Sequence, residues 1–228
     1  MYNNEHIIDQ DYKVLYRIAG IAALIMALFI PIQAIIFFIS PPPSTIIGWF
    51  DLFQKNAILG LLDMDLLLIV DQILMSFIFL ALYILLRQVN KSLMTISFML
   101  GLGGIVIYFS STAVFEMLHL SRLYAGATTE AQKSILLSAG QAMYATWQGT
   151  AFNASYILGG IATLLLSIVM FRSSIFSKTT ACMGIAMSVL MAIPPTVGLI
   201  GMIFAMVSLL PLTVWDILVA KRLFELSK

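Results

Sequence analysis

Charge is scarce in this chain. Asp, Glu, Lys and Arg make up 10% of its 228 residues, against about 25% in a typical soluble domain. The 12 basic and 11 acidic residues leave a net charge of +1. No basic tract suits nucleic acid, and no acidic tail suits a cationic partner. There is one cysteine, Cys182, so no intramolecular disulfide can form. There are two histidines, His6 and His119, so a three-histidine zinc site cannot be built within one chain. An HExxH pair, a GxSxG elbow and a P-loop lysine motif are also missing. These absences remove the commonest hydrolase, zinc-enzyme and nucleotide-binding readings, and no cofactor is expected.

What fills the chain is apolar. Hydrophobic residues reach 61%, and the mean hydropathy is +1.02. A water-soluble chain of this length cannot hide that much apolar surface, whereas a bilayer replaces the missing core with lipid. The fold class expected is therefore all-α: an integral membrane bundle of about six transmembrane helices. A polar segment over 1–13 precedes a single bundle domain over 14–226. The apolar runs fall at about 14–40, 57–87, 92–117, 148–171, 179–194 and 197–222. The first is too long for a signal-peptide core and is expected to be a retained helix. Pro31 and Pro211 fall inside the first and last runs, and Pro194-Pro195 closes the fifth.

Two connections are long. One carries Pro41-Pro42-Pro43 and then 45–56, where Trp49, Phe50 and Phe53 suit a short interfacial helix. The other, from about 118 to 147, contains Thr129-Glu130-Ala131-Gln132, the opening of a capped amphipathic helix. Basic residues sort by side. Lys13, Arg17, Arg87, Lys91, Arg172, Lys178, Lys221, Arg222 and Lys228 fall at one end of the expected spans; Lys55, Arg122 and Lys133 fall at the other. The positive-inside rule puts both termini in the cytoplasm and the protein in the cell membrane. Small residues recur every fourth position at Ala19, Ala23 and Ala27, at Ser155, Gly159, Thr163 and Ser167, and at Thr180, Gly184, Ser188 and Ala192. Such stripes let helices approach closely. They point to packing within the bundle, with a homo-oligomer or a membrane partner as the alternative.

Ionisable groups within the spans are the informative ones. Counting from Arg87, Asp71 lies about 24 Å up its helix and Asp63 about 36 Å. The two are about 80° apart around the helix, while Asp65 points elsewhere. The neighbouring run ends in Glu116-Met117-Leu118-His119, with Glu116 and His119 on one face. Asn153 enters from the same side. Three readings stay open for these groups. They lie at the lipid–water boundary or pair with Arg122 and Lys133; they line a ligand or ion pocket of Asp63, Asp71, Glu116, His119 and Asn153; or Asp63, Glu116 and His119 hold a metal, although a di-iron bundle needs a second Glu-x-x-His copy that this chain lacks. Asp216, beside Trp215, is expected to be an interfacial anchor paired with Lys13, Arg17 or Lys221.

The stretch from Asp71-Gln72 to Leu80-Ala81-Leu82-Tyr83-Ile84-Leu85-Leu86-Arg87-Gln88-Val89-Asn90-Lys91-Ser92-Leu93 resembles the signature of a multi-pass membrane family known as domain of unknown function 4386. So do Gly149-Thr150-Ala151-Phe152-Asn153 with Ser155-Tyr156, and Pro211-Leu212 with Trp215 and Arg222-Leu223. The resemblance runs from about Tyr16 to Leu226. It implies six or seven membrane helices in a bacterial or archaeal protein and points to Asp71, Tyr83, Arg87 and Asn90, but it implies no activity. Gln88 stands where that family has proline, which bears on the rigidity of the turn. Arg87 and Asn90 at the cytoplasmic turn also suit helix capping and headgroup anchoring. Three function classes follow: binding or passage of a small molecule or ion through an outward-facing polar pocket, docking to a partner membrane protein as an accessory subunit, and intramembrane chemistry on lipid.

Overall fold

The computed structural model describes residues 10–228. Most of the polar segment over 1–13, His6 included, lies outside the described residues. After a 3-10 turn at Gln10–Tyr12, the helices are α1 (Lys13–Ile39), α2 (Ile46–Lys55), α3 (Ala57–Met64), α4 (Leu66–Leu86), α5 (Lys91–Phe109), α6 (Val114–Gly126), α7 (Glu130–Trp147), α8 (Thr150–Arg172), α9 (Lys178–Leu190) and α10 (Gly198–Leu226). No strand occurs among the described residues, so the bundle is all-α.

Six of these helices form a ring. α1 packs on α4, α4 on α5, α5 on α8, α8 on α9, α9 on α10, and α10 closes on α1. Each helix runs opposite to the one before it, so one end of the ring collects the start of α1, the α4–α5 and α8–α9 turns and the end of α10. All nine basic residues assigned to one side lie at or near this end, called the basic end below. Lys13 donates a hydrogen bond to the carbonyl of Lys228 at 2.9 Å, tying the start of α1 to the last residue there. The remaining helices, α2, α3, α6 and α7, pack on one another as a cap at the opposite end. Their own core holds Trp49, Phe50, Phe53, Val114 and Met117. The Ser121 hydroxyl donates to the Phe50 carbonyl at 2.8 Å, and Gln54 donates to the Ser121 carbonyl at 3.2 Å, locking α2 to α6.

Three expectations are corrected. Five helical stretches are long and apolar enough to cross a membrane, Lys13–Ile39, Leu66–Leu86, Lys91–Gly126, Glu130–Arg172 and Gly198–Leu226. The fifth of the six runs, expected over 179–194, forms only α9. Its 13 residues reach about 20 Å, short of a hydrocarbon core of about 30 Å. Pro194-Pro195 cannot continue it, and α9 is held in the ring by packing instead. The run expected over 57–87 breaks at Asp65, whose φ of −164° and ψ of −2° interrupt the helix between α3 and α4. The run expected over 92–117 breaks after Phe109. There the hydroxyls of Ser110 and Ser111 donate to the Ile107 and Tyr108 carbonyls, both at 2.7 Å, and compete with the continuing helix for those acceptors.

Both connecting helices form, but Trp49, Phe50 and Phe53, expected to lie in the headgroup region, are buried in the core of the cap instead. Thr45 caps α2 by accepting from Gly48 N–H at 3.1 Å. Thr129 and Gln132 make a reciprocal capping box at the start of α7.

The ring core is concentrated toward the basic end, around Tyr16, Leu82, Leu85, Leu166, Val169, Trp215, Val219 and Leu223. The small-residue stripes are what let it close. Ala19, Ala23, Thr163, Ser167, Thr180 and Ser188 are all buried. At Gly184 a Cβ would lie 2.1 Å from Ser167 Oγ and 2.8 Å from Trp215 Nε1, so glycine sets how closely α9 approaches both α8 and α10. At Gly159 a Cβ would meet nothing within 4 Å. Gly184→Ala is therefore expected to destabilise the detergent-solubilised protein by about 1–3 kcal/mol through overpacking, while Gly159→Ala leaves the melting temperature nearly unchanged. Thermal unfolding of the two variants side by side checks this, and equal melting temperatures would remove Gly184 from its place in the packing.

Candidate functional site

The cap-side half of the ring is hollow. A cavity of about 360 Å³ lies between α1, the α3–α4 break and α10, with Trp147 of α7 and Phe152 of α8 adding to its wall. The wall is mostly apolar, with Met26, Phe29, Phe37, Leu68, Met206 and Leu209 among its side chains. Four carboxylates line it as well: Asp63, Asp65, Asp71 and Asp216. No Lys, Arg or His lines it among the described residues.

Each carboxylate arrives by a different route. Asp63 sits near the end of α3, 3% exposed, and accepts a hydrogen bond from the Ser40 hydroxyl at 2.8 Å. Its other oxygen has no partner. Burial raises its pKa above the ordinary 3.8, and the Ser40 hydrogen bond opposes that rise. Asp65 sits in the break itself, 4% exposed. The hydroxyls of Tyr108 and Thr112 and the indole N–H of Trp147 face its carboxylate, and none of the three has a closer partner. Burial raises its pKa as well, against the pull of those donors. Asp71 lies on α4 and is half-buried, its open side facing the cavity. Asp216 is 1% exposed, and no protein group hydrogen-bonds either of its oxygens. Asp71 and Asp216 line the same cavity, from α4 and α10.

The backbone hydrogen-bond ladders of the helices around the cavity are interrupted beside it. Pro31 lies inside α1 and Pro211 inside α10. Each removes an N–H donor and leaves the carbonyl four residues earlier, at Ala27 or Val207, without its helical partner. The α3–α4 break at Asp65 is the third interruption. Gln33, on the cavity wall, donates to the Leu62 carbonyl at 3.4 Å and braces α1 against α3.

Of the residues expected from sequence to form a pocket, this cavity joins Asp63 and Asp71. Glu116 and His119 line a separate, shallow groove between α6 and α7, together with Phe115, Ala142 and Met143. They are therefore not in the central cavity, and Asp63, Glu116 and His119 do not meet as a metal site. Among the described residues, no group of three His, Cys, Asp or Glu side chains comes together to hold a metal. Asn153 is a cross-link: its amide donates to the Gly149 carbonyl at 2.8 Å and to the Gln148 carbonyl at 3.2 Å, and it accepts from the Thr196 hydroxyl. Lys133 pairs with Glu130 at 3.2 Å rather than with a cavity carboxylate. At the basic end, Asn90 caps α5 by accepting from Leu93 N–H at 3.0 Å. The Arg87 guanidinium lies 5.9 Å from the centre of the Tyr83 ring, which itself stacks on Phe98 at 4.9 Å.

Two cavity residues escape the sequence reading. Asp65 was expected on another face, but the helix break resets the 100° advance per residue and turns it to the cavity. Asp216 was expected at the interface beside a cation. Because α10 runs on to Leu226, Asp216 sits about 15 Å inside the basic end, buried and unpaired. The signal in the sequence is slight: only Ile217, Leu218, Val219 and Ala220 separate it from Lys221 and Arg222.

No family model matches the chain, and no curated protein or solved structure matches it.

The raised pKa of Asp65 has a sign. The folded protein holds its proton more tightly than the unfolded chain does, so its contribution to stability is full at low pH and falls as pH rises from about 3.8 through the folded pKa. Asp65→Asn is expected to make the loss of thermal stability over that range shallower than in wild type. Melting temperatures measured from pH 4 upward in one detergent check this, and parallel profiles would mean that Asp65 ionises without cost.

Proposed function

We propose that this membrane protein binds or passes a small molecule or ion through the carboxylate-lined cavity, reached from the cap side. The observation that carries this reading is the set of four carboxylates facing one cavity without a basic partner. Carboxylates in a membrane interior are costly, and they commonly mark ligand, ion or proton sites. A purely structural role would be expected to pair them, as Arg222 pairs with Glu225 at 2.8 Å. The interruptions at Pro31, Asp65 and Pro211 support the same reading. Transporter sites are commonly built where membrane helices are broken near the middle of the bilayer.

We further propose that the basic end faces the cytoplasm of a cell membrane, which makes the cap external. The concentration of Lys and Arg at that end supports this. The resemblance around Asp71, Tyr83, Arg87 and Asn90 to the family of unknown function described above belongs to the same proposal. It bears on the architecture and adds no activity.

Two experiments test these statements. In the first, wild type and Asp71→Asn are melted in detergent against lipids, salts and metabolites. A ligand of the folded state raises the melting temperature by mass action, and wild type is expected to show a shift that Asp71→Asn loses. If no compound shifts wild type, the pocket reading fails, and docking to a partner membrane protein becomes the better account. In the second, Val89→Cys and Thr128→Cys are made in a Cys182→Ala background and treated with an impermeant maleimide in intact cells. Thr128→Cys is expected to label at once, and Val89→Cys only after permeabilisation. The reverse pattern would invert the topology.

A further inference from the structure

We infer that the ligand of this cavity is a hydrophobic organic monocation, a substituted ammonium whose charge lies between Asp71 and Asp216 and whose apolar body lies against Phe29, Phe37 and Phe152. This rests on the proposed pocket reading and names its ligand class. Charge decides the sign. Asp216 is nine-tenths buried and more, lines the cavity, and lacks any hydrogen-bond partner at either oxygen. Asp71 faces the same space from α4. A cation supplies the counter-charge that the protein omits, whereas an anion adds a like charge to carboxylates that already lack partners.

The wall decides the rest. A bare metal ion needs several oxygen or nitrogen ligands at once, and no group of three metal-ligating side chains comes together among the described residues. The space between the carboxylates is instead bounded by aliphatic and aromatic groups. Aromatic faces attract ammonium groups, the more so when water is excluded. The volume of about 360 Å³ falls at the small end of ordinary ligand sites and suits a body of one or two rings.

The test is calorimetric titration of the purified, folded protein with four probes: benzyltrimethylammonium, its uncharged carbon analogue neopentylbenzene, the anion phenylmethanesulfonate, and caesium chloride. Benzyltrimethylammonium is expected to bind about ten- to a hundredfold more tightly than neopentylbenzene, the range of a charge-assisted contact. Asp216→Asn is expected to remove that advantage while leaving neopentylbenzene unchanged. Asp71→Asn is expected to do the same, and it carries the test if Asp216→Asn does not fold. Equal binding of the charged and neutral analogues, preference for the sulfonate, or binding of caesium alone would each overturn the cation inference while leaving a ligand pocket in place. Failure of all four probes to bind folded wild type would overturn both.

Discussion

Four carboxylates share one cavity in a chain that has almost no charge to spare, and no cation answers them from its wall. Each aspartate held within a membrane span costs on the order of 2.5–3.5 kcal/mol, and Asp71 and Asp216 both lie in helices long and apolar enough to span. That cost has to be offset by packing elsewhere in the same helices. α10 shows how. Trp215, Val219, Ala220 and Leu223 are fully buried, and Asp216 sits immediately after the first of them. The indole at 215 anchors the helix against α9, where Gly184 makes room for it, and so fixes the direction in which the next side chain points. The small-residue stripes on α8 and α9 thus serve the carboxylate as well as the core. If those helices stood further apart, Trp215 would have no seat and Asp216 no defined direction.

The division of the bundle into two halves follows from this. Toward the basic end the ring is close-packed and Lys13 is tied to Lys228. Toward the cap it opens, and a second core around Trp49 and Phe50 packs beyond that space without filling it. The helices that border the hollow are also the ones with backbone interruptions, at Pro31, Asp65 and Pro211. α5 and α8, on the other side, hold together through small-residue packing and the Ser97 hydroxyl, which donates to the Ala162 carbonyl at 2.7 Å. One half of the ring is therefore built as a continuous frame. The other combines α1 and α10, unbroken helices with a proline inside each, with the α3–α4 pair split at Asp65.

How much of this was readable in advance depended on whether local pattern or tertiary phase decided the outcome. Hydropathy alone located the long helices, because only lipid or protein can cover runs such as 14–40. Local chemistry located the ends that side chains cap: Thr129 with Gln132 at α7, Thr45 at α2, Asn90 at α5. It did not locate the break after Phe109, where the apolar pattern continues to Met117. The clue was Ser110-Ser111, two hydroxyls that compete for carbonyls. Asp71 was visible as a deep carboxylate by counting from Arg87. Asp65 was not, because its direction depends on a helix break, and Asp216 was not, because its depth depends on how far α10 continues. Glu116 and His119 share one helical face, but nothing in their spacing reveals that this face is exposed beside α7 and turned away from the central cavity.

Asp71 and Asp216 belong to helices that both pack on α1 and that both line the cavity. A charge bound between them therefore touches two walls of the hollow at once, and α1 is the element they share. Pro31 lies in the part of α1 that borders this space, above the close-packed stretch from Tyr16 to Ala27. A ligand that draws the two carboxylates together acts on α4 and α10, the helices that carry the break at Asp65 and Pro211. A conformational response requires differential affinity between two arrangements of the protein. In this fold the groups able to supply that difference, two unpaired carboxylates, are set beside the proline-bearing stretches of α1 and α10 and the α3–α4 break at Asp65.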